Sequence, residues 1–275
     1  IIDTPVSESA CTGLAVGASI SGMRPIVVHP RMDFMLYCMD SIINEAAKWS
    51  YIFGGQSNSQ LTIRSIINRG NEQGAQHSQS LQSLFCHIPG LQVVMPATVS
   101  DARDLFITAV LSNNPTLYID DRWLYEKSEN IPPIIPKNIE LIQPKILQEG
   151  RDLTIVGCGY GTEVALNASK NFINEDFSIE IIDLRVLKPL KLESIIRSVQ
   201  KTGRLIVVDI AWKNCGMAGE IIASVVENLS PSYFNSAPIR INLPDCPAPT
   251  SSILEKEYYS QENELIKAIK NIFKS

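Results

Sequence analysis

The chain has 275 residues, 45% of them hydrophobic and 19% charged, so it carries enough apolar material for two ordinary domains and is neither disordered nor fibrous. Lys and Arg number 24 against 29 Asp and Glu, and the net charge of −5 gives no electrostatic support to nucleic-acid or anionic-membrane binding. No apolar run approaches the ~20 residues of a bilayer span. The six scattered cysteines, with no CxxC pair, read as reduced thiols in a cytoplasm-like compartment, and three histidines leave no material for a His-rich metal cluster.

In chain order, Ile1-Ile2-Asp3 reads as though already inside a strand, so a leading strand and helix of the first domain are expected to be missing. Ala10 to Gly22 is an Ala/Gly-rich helical stretch, and Glu8 just ahead of it suits a helix N-terminus, where its plain role is capping. Short β-branched runs follow at PIVVH (25–29), LTIRS (61–65), LQVVM (91–95), DLTIVG (152–157), SIEIID (178–183), RLIVVD (204–209) and PIRIN (238–242). Each is almost continuously apolar, the pattern of strands covered on both faces. Helical spacing lies between them, at Leu36, Met39, Ile42, Ile43 and Ala46, at Leu105, Ile107, Ala109 and Val110, and at Ile195, Ile196 and Val199. The alternation predicts an α/β protein of parallel sheets with helices on both faces and right-handed crossovers. From Glu126 to Gly150 the prolines 132, 133, 136 and 144 break helices and remove donors. This predicts a first domain over 1–130, a Pro-rich linker over 131–150, and a second domain over 151–275 that ends in an amphipathic helix near 260–273.

No Walker-type loop and no strand-linked GxGxxG is present. Gly157-Cys158-Gly159-Tyr160-Gly161 is the nearest to a phosphate cradle, and small residues at a tight strand-to-helix turn explain it better. Cys86-His87 reads as a buried structural pair. Phe34 and Tyr37 open the helix after the HPRMD loop, where most aromatics are core. His77, in GAQHSQS after a strand and a long polar loop, is harder to assign to the core, because α/β proteins keep their sites on loops past strand ends.

The strings IIDTPVSES, GLAVGASISGMRPIVV, DSIINEAAKW, GAQHSQS, HIPGLQVVMP, NNPTLY, IIDLRVLKPL and KTGRLIVVD, in this order and spacing, closely resemble the β subunit of thiamine-diphosphate-dependent 2-oxo acid dehydrogenases, the decarboxylating components of the pyruvate and branched-chain complexes. The resemblance covers nearly the whole chain. It implies a transketolase-like pyrimidine-binding domain followed by a transketolase C-terminal-like domain. Residue by residue, Glu8 matches the glutamate that hydrogen-bonds a ring nitrogen of the cofactor's aminopyrimidine, and Phe34 the aromatic packed on that ring. His77 matches the histidine that positions substrate and assists acyl transfer to a lipoyl group. Asn114, with backbone groups near Ala109 and Leu111, falls where pyruvate members hold K⁺.

Some positions depart from the family. Val28-His29-Pro30-Arg31-Met32-Asp33 stands where the family usually reads Glu-Phe-Met-Thr-Phe-Asn, which puts a proline and a cation beside the pocket. Tyr37 replaces a usual glutamine and Ser112 an aspartate. The family binds the diphosphate through Mg²⁺ and a Gly-Asp-Gly…Asn motif carried by the α subunit in two-chain members, and this chain has no Gly-Asp-Gly. The resemblance thus implies half an active site. The partners it implies are an α subunit, a second copy of this chain in an α2β2 assembly, and a lipoyl acyltransferase core, in the cytoplasm. Two other readings stand beside it: the pyrimidine-binding half of a split transketolase-type carboligase, for which Arg31 and Arg69 suit a phosphorylated or carboxylated acceptor, and a subunit of the same fold that only supports assembly.

Overall fold

Four parallel strands with one antiparallel edge strand recur twice along the chain in the computed structural model, which describes residues 1–134 and 136–274. Ile135, inside the predicted linker, and Ser275 lie outside the described residues. In chain order the regular elements begin with α1 (Glu8–Ile20), β1 (Ile26–His29), a 3₁₀ segment (Met32–Cys38), a π turn (Ser41–Ala46), α2 (Ala47–Ile52), β2 (Thr62–Ile67), α3 (Gln82–Cys86), β3 (Gln92–Val94), α4 (Val99–Leu111) and β4 (Thr116–Asp121). There follow β5 (Lys145–Gln148), β6 (Leu153–Gly157), α5 (Tyr160–Ser169), β7 (Ile179–Asp183), β8 (Val186–Lys188), α6 (Glu193–Thr202), β9 (Leu205–Trp212), α7 (Met217–Asn228), β10 (Ile239–Leu243), α8 (Ser252–Tyr258) and α9 (Gln261–Ile272).

The chain divides into two units. The first takes Ile1–Arg69, Gln76–Ile142 and Val186–Pro189, and its sheet has the order β1-β2-β4-β3-β8. Neighbours in it are parallel except for β3 and β8. The second takes the remaining segments, and its sheet has the order β10-β9-β6-β7-β5, parallel except for β5 and β7. Central strands here are buried along their whole length, as in β6 and β7, because helices cover both faces. α5 and α9 close one face of the second sheet over Leu153, Ile155, Ile206 and Val208, with Leu265 and Ile269 fully buried.

Three sequence expectations are corrected. Ile1-Ile2-Asp3 forms no strand; these residues are exposed and irregular, having no neighbouring strand to pair with among the described residues. β1 is not covered on both faces, since as the edge strand it leaves Ile26 and Val28 nearly half exposed. The helical spacing from Leu36 to Ala46 is resolved into 3₁₀ and π turns rather than α-helix, a distinction that i, i+3 and i, i+4 repeats do not carry.

Gly90, in the HIPG turn ahead of β3, has φ of +90°, and a Cβ built there would lie 1.9 Å from the carbonyl oxygen of Ala47. Both the left-handed backbone and the close approach require glycine. Gly90→Ala should lower unfolding free energy by roughly 2–4 kcal/mol, read by denaturant titration; an unchanged midpoint would contradict this packing of α2 on the turn.

Candidate active site

Parallel strands send their connections off the same sheet edge, and in open α/β sheets ligands bind there. After β1 the chain runs through Pro30 and Arg31 into the 3₁₀ segment that carries Phe34; after β2 it leads to the turn that carries His77. β1 and β2 are neighbours, with His29 opposite Ser65, so the two connections leave side by side. Phe34 and His77, both half-buried, meet edge to face with ring centroids 5.4 Å apart and planes at 81°. The structure thus joins two of the residues singled out in the sequence.

Charged side chains fix that turn. Asp33, 5% exposed, accepts two hydrogen bonds at Oδ1, from the Gln79 backbone N–H and from Gln79 Nε2, each 3.0 Å. Arg69 and Asp121 form an ion pair with both side chains fully buried, Nη2 to Oδ2 2.6 Å, and Arg69 Nη2 also donates to Ser80 Oγ at 3.1 Å. This corrects one expectation: Arg69 is committed to Asp121 at the end of β4 and does not face a ligand.

Glu8 is the first residue of α1, half-buried, where the positive end of the helix favours a carboxylate. It makes no capping bond, and no hydrogen bond or ring contact joins it to Phe34 or His77 among the described residues. Its neighbours are His29 and Cys38. One turn along the same face of α1, Thr12 Oγ1 lies 3.1 Å from His29 Nε2, and Cys38 Sγ lies 3.7 Å from the same nitrogen while donating to the Met35 carbonyl. This buried imidazole–hydroxyl–thiol group beside Glu8 is not foreseen in the sequence; its one signal is the histidine in HPRMD. Burial pushes the Cys38 thiol up, so it is not a nucleophile.

Burial also lowers the His29 imidazole below its ordinary 6.5, against the opposing pull of the Glu8 charge. The unfolded chain therefore binds a proton where the folded chain does not, so stability is full above about pH 6.5 and falls as pH drops toward the lowered folded value. Between about pH 7.5 and about pH 5, wild type should lose more unfolding free energy than His29→Gln; parallel curves for the two proteins would contradict a buried neutral His29.

Ala109, Leu111 and Asn114 lie at the opposite, amino edge of the same sheet, where α4 ends and β4 begins. There Arg24 Nη1 donates to the carbonyls of Val110 (3.1 Å) and Ser112 (2.6 Å), and Nη2 to Asn113 Oδ1 (2.8 Å). The Ala109 carbonyl accepts the Ser112 N–H, and the Asn114 carbonyl accepts Thr116 Oγ1. A guanidinium already meets the negative end of α4. These residues do not fit a separate monovalent cation.

Other expectations divide. His87 is exposed and Cys86 half-buried, so they are not a buried pair; the exposed tail of α3 carries them. The glycine-rich turn after β6 is tight packing, as expected: a Cβ on Gly161 would stand 2.6 Å from the Val208 carbonyl. A cavity of about 380 Å³ lined by Arg64, Tyr118, Asp120 and Tyr125 among others contains none of Glu8, Phe34 or His77. No group of three or more His, Cys, Asp or Glu among the described residues could hold a metal ion.

Residues 1–127 match the family described as transketolase, pyrimidine binding domain, and residues 143–265 match transketolase, C-terminal domain. The chain is 38% identical over 273 residues to the pyruvate dehydrogenase E1 component subunit beta of Rickettsia felis, covering 99% of this chain and 83% of that relative. It is also 38% identical over 280 residues to the acetoin:2,6-dichlorophenolindophenol oxidoreductase subunit beta of Cupriavidus necator, covering 100% of this chain and 80% of that one. Among solved structures it is similar to a split gene transketolase, an inactive beta4 tetramer, with a TM-score of 0.79 at 21% identity over 98% of this chain and 83% of that chain. At that identity the likeness is one of fold. With 38% identity over 99% of this chain and both transketolase domains in order, the chain belongs to the β-subunit family of the thiamine-diphosphate-dependent 2-oxo acid dehydrogenases, within the transketolase-like superfamily.

Proposed function

We propose that this chain supplies the aminopyrimidine-binding half of an active site that decarboxylates a 2-oxo acid and passes the acyl group to a lipoyl group. The observation that carries the reading is the Phe34–His77 pair at the carboxyl edge of the first sheet, with Glu8 at the start of α1, in a chain 38% identical to a pyruvate dehydrogenase E1 β subunit. The family implies thiamine diphosphate, and the residues fit its pyrimidine end. Phe34 offers a half-buried aromatic face, Glu8 a carboxylate with no hydrogen-bond partner among the described residues, and Asp33 Oδ2 and Ser78 Oγ are buried without partners. They do not fit the diphosphate end, since no group of three or more His, Cys, Asp or Glu among the described residues could hold Mg²⁺, and the α subunit is assigned that part.

When bound, the cofactor supplies a carbon nucleophile that also accepts the electron pair left as CO₂ departs. The chain's own residues do the rest. Glu8 holds and returns the proton on the pyrimidine ring nitrogen. Phe34 stacks against that ring. His77 holds the substrate carbonyl oxygen and delivers a proton to the lipoyl sulfur. The Asp33 and Arg69 clamps keep the His77 turn still, so no reorganisation is needed when substrate enters. An α2β2 assembly, a lipoyl acyltransferase core and a cytoplasmic setting complete the reading; no described helix is long and apolar enough to cross a membrane. The split-carboligase alternative has only the likeness of fold behind it.

In the complex reconstituted with its α subunit, Glu8→Gln keeps the shape but not the exchangeable proton, and decarboxylation should fall by roughly 10²-fold or more. His77→Ala should slow acyl transfer to a lipoyl domain more than decarboxylation followed with an artificial electron acceptor. Near-wild-type turnover in Glu8→Gln, or aldehyde ligation without lipoyl acylation by the wild type, would refute the assignment.

A further inference from the structure

Arg31 stands at the carboxyl end of β1, where it closes the first turn of the 3₁₀ segment: the Phe34 N–H donates to the Arg31 carbonyl at 3.3 Å. Arg31 is extended and stands three residues before Phe34 on the same connection, and Phe34 meets His77. Asp33 has one oxygen occupied by Gln79. Asn68 Nδ2 donates to the Pro30 carbonyl at 3.0 Å and brings the β2 connection against the residue before Arg31.

Arg31 Nη1 is buried and has no hydrogen-bond partner among the described residues. Asn68 Oδ1 and Ser78 Oγ, both on the connection after β2, are likewise buried without partners. A guanidinium cannot shed its charge, and a buried charged donor without a partner is costly. The second guanidinium at this edge, Arg69, is held by Asp121 and Ser80. The combination is a cation with a buried, unfilled N–H on the connection that carries the Phe34 ring against His77, which suits a planar carboxylate.

We infer that Arg31 is a specificity-determining residue that receives the carboxylate of the donor substrate and so selects a 2-oxo acid over a neutral hydroxyketone. This rests on the function proposed above and sharpens it, because relatives of equal identity are named for pyruvate and for acetoin. The contact is with the charged acid and ends when the carboxylate leaves as CO₂. It therefore acts in capture, lowering KM, and adds nothing to kcat.

The test uses the cofactor-loaded complex with the α subunit and two probes: oxamate, an unreactive isostere of pyruvate that keeps the carboxylate, and acetoin, which has none. By calorimetry, Arg31→Met should weaken oxamate binding at least tenfold and leave acetoin binding within about twofold, while Arg31→Lys, with charge but no fork, should fall between. The inference is overturned if wild type does not bind oxamate, if Arg31→Met binds it as wild type does, or if both probes weaken alike. Loss of subunit association on replacing Arg31, with oxamate affinity of the assembled fraction unchanged, would overturn it in favour of a partner carboxylate. If Arg31→Met does not fold, the Lys variant gives the answer: oxamate affinity equal to wild type overturns the inference. Steady-state turnover of pyruvate on the same samples separates the two claims. Arg31-dependent oxamate binding without turnover removes the proposed reaction and keeps the anion site; turnover with an unchanged KM in Arg31→Met does the reverse.

Discussion

Two hydrogen bonds from Gln79 to a single oxygen of Asp33 tie together the two connections that carry Phe34 and His77. Hydrogen bonds to a charged group contribute about 1.5–3 kcal/mol each, enough to choose one conformation for a turn that has no regular structure of its own. The acceptor sits one residue before Phe34 and the donor two after His77, so the bond fixes the ring pair almost directly. Without that tie, parallel strands would still bring the connections to one edge, but not the rings into contact.

Behind the clamp lies a second charged layer. Arg69 and Asp121 are each fully buried, and removing one partner of such a pair typically costs about 3–5 kcal/mol because the other charge is left unmatched. Arg69 also reaches Ser80, so the end of β4, the end of β2 and the His77 turn share one ion pair. On the far side, His29 links β1 to α1 through Thr12 beneath Glu8. The site is thus held from two directions by polar groups whose partners lie within the first unit, which leaves Glu8 and Arg31 as groups with donors or acceptors still open among the described residues.

Much of this fold is legible in the sequence, and the failures share physical causes. The seven apolar runs all become strands, and the central ones are continuous in apolar residues because both their faces are buried, whereas β1 is a half-exposed edge. β4 escapes notice because TLYIDD ends in two carboxylates, which are buried only because Arg64 and Arg69 pair with them. β5 and β8 are short antiparallel edges with little pattern to read. Phe34 and His77 are read through family resemblance, and their contact depends on Asp33 and Gln79, whose pairing across the intervening residues no local pattern signals. The expected cation ligands sit at the other sheet edge, beside an arginine that precedes β1 and becomes their neighbour only when the sheet is assembled.

The central claim is that this chain presents Glu8, Phe34 and His77 to the pyrimidine end of thiamine diphosphate and leaves the diphosphate to its partner. A cryo-electron microscopy structure of the reconstituted complex with thiamine diphosphate and Mg²⁺ tests it most directly. The account predicts a pyrimidine ring nitrogen at about 3 Å from a Glu8 carboxylate oxygen, the ring against Phe34, His77 facing the thiazolium side, and every protein ligand of the Mg²⁺ contributed by the other subunit. A pyrimidine bound away from Glu8, or a diphosphate held by residues of this chain, would contradict it.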